Sequence, residues 1–172
     1  GVTYNTLVNK KKFYKRLSEL AMPFPRTCFP KDLYELKSMG QEFGYPYIIK
    51  PAYSHLFIEK FRSKCFVINS AQDLNTAVKK LGNENLEVVI QEIIPGRDIY
   101  MLYAYLNSNS EVLGLCGYDK VRQYPPDFGY GSLCRSAWRQ TPIELGLRVL
   151  KEIGYHGICE TELSRDPGDG KY

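Results

Sequence analysis

Three positions in this 172-residue chain combine residue types and spacings suited to chemistry. Lys50 closes the apolar run Tyr47-Ile48-Ile49, between Pro46 and Pro51. A lysine at the end of a buried strand has a packed stem and a fixed ammonium, which suits phosphate charge. The alternative is a lysine snorkelling from a strand edge into water. Glu87–Ile94, followed by Pro95-Gly96, is an apolar stretch that carries Gln91 and Glu92. A strand running into such a turn exposes backbone N–H and C=O groups between apolar side chains. That is the recognition a flat, polar-edged adenine requires. Asp98, two residues past the turn, can accept hydrogen bonds from ribose hydroxyls; solvated strand-end residues are the alternative for Gln91, Glu92 and Asp98. Glu160 and Glu162, in GICETEL, are two apart and so share one face of a strand. Two carboxylates on one face repel unless a cation lies between them or water solvates them, and a hard, oxygen-liganded Mg²⁺ is the functional reading.

The elements that must position these residues are legible from periodicity. Phe13, Tyr14, Leu17, Leu20 and Ala21 share a helical face that ends at Pro23 and Pro25. Asp32 with Glu35 has the form of a capping box, opening a helix with Leu33, Leu36 and Phe43 inward and Gly44 as its stop. Tyr47–Lys50 is a buried strand, residues 52–64 have no clear period and are expected as an exposed loop, and Cys65–Ile68 is a strand. Ser70 caps a helix with Ala71, Leu74, Ala77, Val78 and Leu81 inward and Gly82 beyond it. Strands are expected at Glu87–Ile94, Asp98–Leu106 and Glu111–Asp119, with Asn107–Ser110 as a hairpin turn. Residues 122–132 are too rich in Pro and Gly for a regular element. A helix bracketed by Pro142 and Gly154 follows, then a strand, Gly157–Leu163, a polar turn, Asp166–Gly170, and the start of another strand at Lys171-Tyr172. The pattern is an α+β chain in two lobes, a smaller one over 1–86 and a more β-rich one over 87–172.

Composition narrows the classes. The chain is 44% hydrophobic and 24% charged, outside the regime of disorder. No apolar run approaches the roughly 18 residues of a membrane span, and the opening residues GVTYNTLVNK have no secretory h-region. The net charge of +4 is spread along the chain, unlike a nucleic-acid footprint, and the 14 tyrosines read as half-buried core and lobe surface rather than a base-stacking platform. Five cysteines without a C-x-x-C pair argue for reduced, mostly buried thiols in a cytoplasmic protein, against a disulfide framework or a zinc ribbon. His55 and His156 form no Cys–His pair by spacing, and His156 is expected to pack near the Gly154–Gly157 turn.

Four segments in order resemble the ATP-grasp superfamily. Asn9-Lys10, with Pro23-Phe24-Pro25 downstream, resembles its Asp-Lys start and "G-[IV]-P-x-P" turn, with Asn in place of Asp. Gly44 to Ala52 (GYPYIIKPA) resembles its "[FY]-P-x-[IV]-[IV]-K-P" strand. Val89 to Asp98 (VIQEIIPGRD) resembles its "V-x-E-x-x-x-x-G-x-[ED]" hinge, with Gln91 where Glu is usual. Gly157 to Tyr172 resembles "G-x-x-x-x-E-F…D-x-x-D-G-[KR]-Y", whose Glu, a magnesium ligand, falls on Glu162. Lys120 to Gly129 further resembles the "K-x-R-x-Y-P-x-x-x-G" segment of a carboxylate–amine ligase-like group within it.

The resemblance implies ATP between two α+β lobes, with Lys10 and Lys50 on the phosphates. It implies the Gln91–Ile94 hinge on adenine through the backbones of Glu92 and Ile94, Asp98 on the ribose and Lys120 as a further phosphate-side cation. The implied reaction passes the γ-phosphoryl group to a small-molecule carboxylate, and an amine then attacks the acylphosphate. Arg122 is the candidate for stabilising that intermediate or gripping the acid; a surface arginine on a mobile loop is its alternative. A homodimer is left open. No glycine lies between Pro51 and Asn69, where the family usually has a "G-x-G" phosphate loop, so Ser54 and His55 are the residues placed to cover the phosphates. The family's Glu-x-Asn metal pair is expected beyond Tyr172 and its preceding α/β domain before Gly1, which makes this an expected central piece of a larger enzyme, inactive alone. A non-catalytic nucleotide-binding or regulatory module is the competing reading. A kinase ranks last, since H-R-D and D-F-G are missing.

Overall fold

Strands turn alternate side chains to opposite faces, and amphipathic helices pack against both sheets; the central strands of the first sheet are buried on both faces. The computed structural model describes residues 2–84 and 86–172, and the chain divides into two units after Ile93. The elements are α1 (Val2–Val8), α2 (Lys10–Glu19), β1 (Thr27–Cys28), α3 (Leu33–Phe43), β2 (Tyr47–Pro51), α4 (Ser54–Phe61), β3 (Phe66–Ile68), α5 (Ala71–Leu81) and β4 (Val88–Glu92) in the first unit. The second holds β5 (Ile99–Leu106), β6 (Val112–Tyr124), β7 (Tyr130–Ser136), α6 (Gln140–Glu152) and β8 (Gly157–Ser164). The division falls after β4 rather than at residue 86, because β4 pairs antiparallel with both β1 and β2.

The first sheet runs β1-β4-β2-β3. Tyr47, Ile49, Ile68, Val88 and Ile90 pack on one face with Leu36 and Phe43 of α3 and Leu74, Ala77 and Leu81 of α5. Complete burial of Leu36, Phe57 or Leu74 contributes about 1.5–3 kcal/mol each. Asp32 and Ser70 cap α3 and α5 as expected, accepting from the Glu35 and Asp73 N–H groups at 2.8 and 3.2 Å. Glu35 answers to the Lys31 N–H, one residue outside the usual box. Leu33 is 39% exposed rather than inward, since Leu36, Gly40 and Phe43 form the buried stripe of α3. The helix after Asn9 ends at Glu19, earlier than its apolar pattern suggests: Leu20 and Ala21 turn back onto Arg16 and Ser18, and Ala21 is left-handed with φ 51°. Residues 52–64 are not a loop. They contain α4, anchored by the buried Phe57, whose ring meets Phe61 and Phe66 at 4.7 Å each.

The second sheet runs β7-β6-β5-β8, all antiparallel. Tyr100, Leu102, Ala104, Leu106 and Leu163 lie under Ile143 and Leu150 of α6. The register places Met101, Tyr103, Tyr118, Lys120, Glu160 and Glu162 on the opposite face. Residues 122–132 belong to a hairpin, not to irregular chain. β6 continues through Arg122 to Tyr124, its prolines sit in the turn, and β7 resumes at Tyr130, with a register irregularity between Lys120 and Gln123. Lys171 and Tyr172 lie outside any strand, although the Asp166 N–H donates to Lys171 O across the turn at 2.8 Å. His156 is exposed; Tyr155 instead closes that turn, donating to Ile158 O at 2.7 Å. Among the described residues no helix is long and apolar enough to cross a membrane.

Gly117 allows β6 to lie against the fully buried Tyr100, whose hydroxyl donates to Ala137 O at 3.0 Å. A Cβ at residue 117 would stand 1.7 Å from that hydroxyl oxygen. Gly117→Ala is therefore expected to cost about 1–3 kcal/mol, read as a lowered denaturant midpoint with an unchanged slope.

Candidate functional site

In the first unit the site grows from the helix start at Asn9. The buried Asn9 side chain accepts from the Lys12 N–H at 3.0 Å and so sets where α2 begins. Lys10 is thereby fixed at both ends: its N–H donates to Ala52 O at 2.9 Å and its ammonium to Ser54 Oγ at 2.5 Å. Lys50 projects from β2 and donates to Gln91 Oε1 at 2.7 Å. Burial, then repulsion from Lys50 and Lys64, holds the Lys10 ammonium below its ordinary pKa. Like charges gathered this way repel one another, and an anion beside them relieves that repulsion. The fold thus brings Lys10, Lys50 and Ser54 into one neighbourhood. His55 faces solvent, its ring edge-on to Tyr53 at 6.1 Å.

The two hinge polar residues point to opposite faces of the sheet. Gln91 is 1% exposed and lies on the Lys50 face. Glu92 lies on the core face, where its carboxylate accepts from the Arg26 N–H at 2.5 Å and its own N–H donates to Arg26 O at 3.0 Å. Arg26 in turn stacks over Phe43, 3.9 Å from the ring centroid. The Glu92 side chain and amide therefore serve β1, and its amide is not available to a base.

In the second unit Asp98 is gripped by Arg139, which donates to Asp98 Oδ1 at 2.6 Å and to the Tyr172 hydroxyl at 2.9 Å. The same guanidinium approaches Asp119 Oδ1 at 2.7 Å, an ion pair without hydrogen-bond alignment, while Arg135 donates to Asp119 Oδ2 at 2.9 Å. Lys120, buried on β6, is ion-paired with Glu162 of β8. Beside them Tyr118 donates to Glu160 Oε2 at 3.2 Å and stacks on Tyr103 at 5.5 Å. Burial, the Tyr103 hydrogen bond and the Glu160 charge push the Tyr118 phenol well up. Glu160 and Glu162 are thus two exposed carboxylates on one face, hard oxygen donors of the kind Mg²⁺ takes. Among the described residues no three His, Cys, Asp or Glu side chains gather as a metal cluster. Arg122 is exposed and lines an open cavity of about 470 Å³ with Arg97, Ile99, Lys120 and Tyr124.

Sequence reasoning missed Arg139, Asp119, Thr27 and Tyr14. The first two lie 20 residues apart in the chain and are joined only by the fold. Thr27 and Tyr14 touch Gln91 from β1 and α2, across separations of 64 and 77 residues. No local pattern announces such contacts.

No family model matches this chain. It is 24% identical over 181 residues to the D-aspartate ligase of Enterococcus faecium (strain Aus0004), covering 98% of the chain and 43% of that protein. The chain thus spans less than half the length of the curated relative it matches. Among solved structures it is similar to biotin carboxylase from Campylobacter jejuni, with a TM-score of 0.76 and 16% identity over 96% of this chain and 39% of that one. It is also similar to the RimK domain protein ATP-grasp from Sphaerobacter thermophilus, with a TM-score of 0.69 and 15% identity over 98% of this chain and 58% of that one. The α+β arrangement of this chain is the ATP-grasp fold, as the sequence motifs imply.

A lysine whose folded pKa lies below its unfolded value binds fewer protons when folded, so its protonation opposes folding. For Lys10 that cost is present at neutral pH and fades as pH rises through the lowered pKa. Lys10→Met is expected to melt no lower than the native chain at about pH 7, with any gain shrinking toward about pH 10. The same variant should bind inorganic triphosphate at least about tenfold more weakly by calorimetry.

Proposed function

We propose that the protein to which this chain belongs is an ATP-dependent ligase that joins a small-molecule carboxylate to an amine, releasing ADP and phosphate. The observation that carries this reading is the pairing of a lysine cluster, Lys10 and Lys50 around Ser54, with the fold that it occurs in. The likeness to D-aspartate ligase supports an amino acid among the substrates.

Lys10 and Lys50 neutralise the nucleotide phosphates, and Ser54 steadies Lys10 against them. The adenine edge falls to the backbones of Ile94 and Glu92, the latter through its carbonyl, because the Glu92 N–H donates to Arg26. Asp98 is the ribose acceptor, with Arg139 on one of its oxygens. Arg122, with Arg97 and Lys120, gives the 470 Å³ cavity a cationic wall and Ile99 and Tyr124 an apolar one, suited to an organic acid. Glu162, with Glu160, would hold Mg²⁺, and Lys120 occupies Glu162 until a cation shares it. When bound, the metal would neutralise phosphate oxygens that carry charge through the transfer. A carboxylate oxygen of the acid attacks the γ-phosphorus, the bond to the β-phosphate bridging oxygen breaks, and ADP leaves. The amine nitrogen then attacks the acyl carbon, the acyl C–O bond breaks, phosphate leaves, and the nitrogen loses a proton to solvent. The contribution of the chain is positioning and charge compensation.

The test is calorimetric titration of Mg·ATP into the native chain, Lys50→Ala and Glu162→Ala, followed by ADP release from the whole protein with acid and amine panels. Lys50→Ala should weaken binding by about tenfold or more, and Glu162→Ala should remove most of the Mg²⁺ dependence. Binding by the whole protein without ADP release for any acid–amine pair would leave a nucleotide-binding module in place of a ligase. No binding by the whole protein would remove both.

A further inference from the structure

The cavity beside β6 carries more positive charge than a single carboxylate can meet. Arg97, Lys120 and Arg122 line its volume of about 470 Å³, and among the described residues no Asp or Glu does. Lys120 is already compensated by Glu162. Neither guanidinium has an acidic partner among the described residues. The β5–β6 ladder opens at Tyr100 opposite Asp119, so both arginines leave it at the same end, Arg97 ahead of β5 and Arg122 along β6. The β6–β7 ladder is irregular between Lys120 and Arg122 and again between Arg122 and Gln123. Such an irregularity re-aims side chains that a regular strand would alternate. Ile99, Val121, Tyr124 and Pro126 supply apolar surface between the charges. Two open guanidiniums on an apolar wall suit a short carbon skeleton with an anionic group at each end.

We infer, resting on the ligase reading above, that the cavity selects an acid with two anionic groups, a short dicarboxylate, and that Arg97 is the residue that selects it. Arg122 shares β6 with Lys120, so it stays with the reacting carboxylate and the acylphosphate formed from it. Arg97 comes from the segment ahead of β5 and is left for the second carboxylate. A carboxylate that attacks phosphorus needs a free oxygen lone pair. One that only anchors can be held by the whole fork of a guanidinium. A monoacid would leave the Arg97 charge unmatched, whereas a dicarboxylate meets both guanidiniums.

Glutarate and pentanoate are the probes, titrated by calorimetry into the whole protein, native and as Arg97→Gln and Arg122→Gln, with and without Mg·ADP. Pentanoate is glutarate with a methyl group in place of the second carboxylate. Glutarate should bind the native protein at least about tenfold more tightly than pentanoate. Arg97→Gln should bring the two within about threefold and leave pentanoate within about twofold of its native affinity. Arg122→Gln should weaken both probes together. Equal native affinities, no binding of either probe, or a glutarate advantage that survives Arg97→Gln overturns the assignment of Arg97. Displacement of glutarate by Mg·ADP gives the cavity to the nucleotide and overturns it too. ADP release tests the ligase reading separately. Release with monoacids alone leaves a ligase and overturns the dicarboxylate. No release from any acid–amine pair overturns the ligase reading and the substrate claim with it, even where Arg97 still binds glutarate.

Discussion

The antiparallel pairing of β2 with β4 sets everything in the first unit. Tyr47 stands opposite Glu92, Ile49 opposite Ile90 and Pro51 opposite Val88. Since side chains alternate, this register drives Ile49 and Ile90 into the core and turns Lys50 and Gln91 to the other face. A slip of one residue would bury a lysine among Leu36, Phe43 and Leu74 and lift isoleucines out of them. The apolar residues facing α3 and α5 therefore fix where Lys50 and Gln91 stand on the other face, beside the buried Ile48 and Val89. Glu92, one residue along from Gln91, is sent to the core side and spent on β1.

The two units treat charge differently. The first gathers Lys10 and Lys50, with Lys64 close enough to repel Lys10, about a neutral amide. The second alternates signs, from Arg165 to Asp98 to Arg139 to Asp119 to Arg135, and pairs Lys120 with Glu162. A series of alternating charges is satisfied within itself, and here it ties Asp98 to the start of α6 through Arg139. Lysines that repel one another instead favour an anion beside them, which is the feature the nucleotide reading draws on.

Much of this was legible in the residues. Capping side chains at Asp32 and Ser70, the apolar run ending in Lys50 and the doublet of Glu160 and Glu162 each carry a local signature, and the ordered motifs carry the fold. What escaped is what depends on tertiary context. α4 has one fully buried residue, Phe57, and no side-chain cap, so its period is too faint to read against a loop. The β6–β7 hairpin was obscured because Pro125, Pro126 and Gly129 crowd the turn while the strands on either side are mostly exposed. β4 begins the β-rich half of the sequence, whereas its partners in the fold are β1 and β2, which no local pattern shows. Leu33 shows the converse error: an apolar residue at helical spacing that the first turn leaves outside.

The absent side chain at Gly117 has a consequence for how such a chain can change over time. The ring of Tyr100 fills the space a Cβ would take, with its Cζ at 2.6 Å and its hydroxyl closer still. Removing the hydroxyl alone would not clear a path, because the ring carbon is itself too near. Positions 100 and 117 are therefore locked as a pair: a larger residue at 117 becomes tolerable only after 100 has lost its ring. Each single step passes through a clash or a cavity, so among descendants of this sequence the two should vary together or stay as they are.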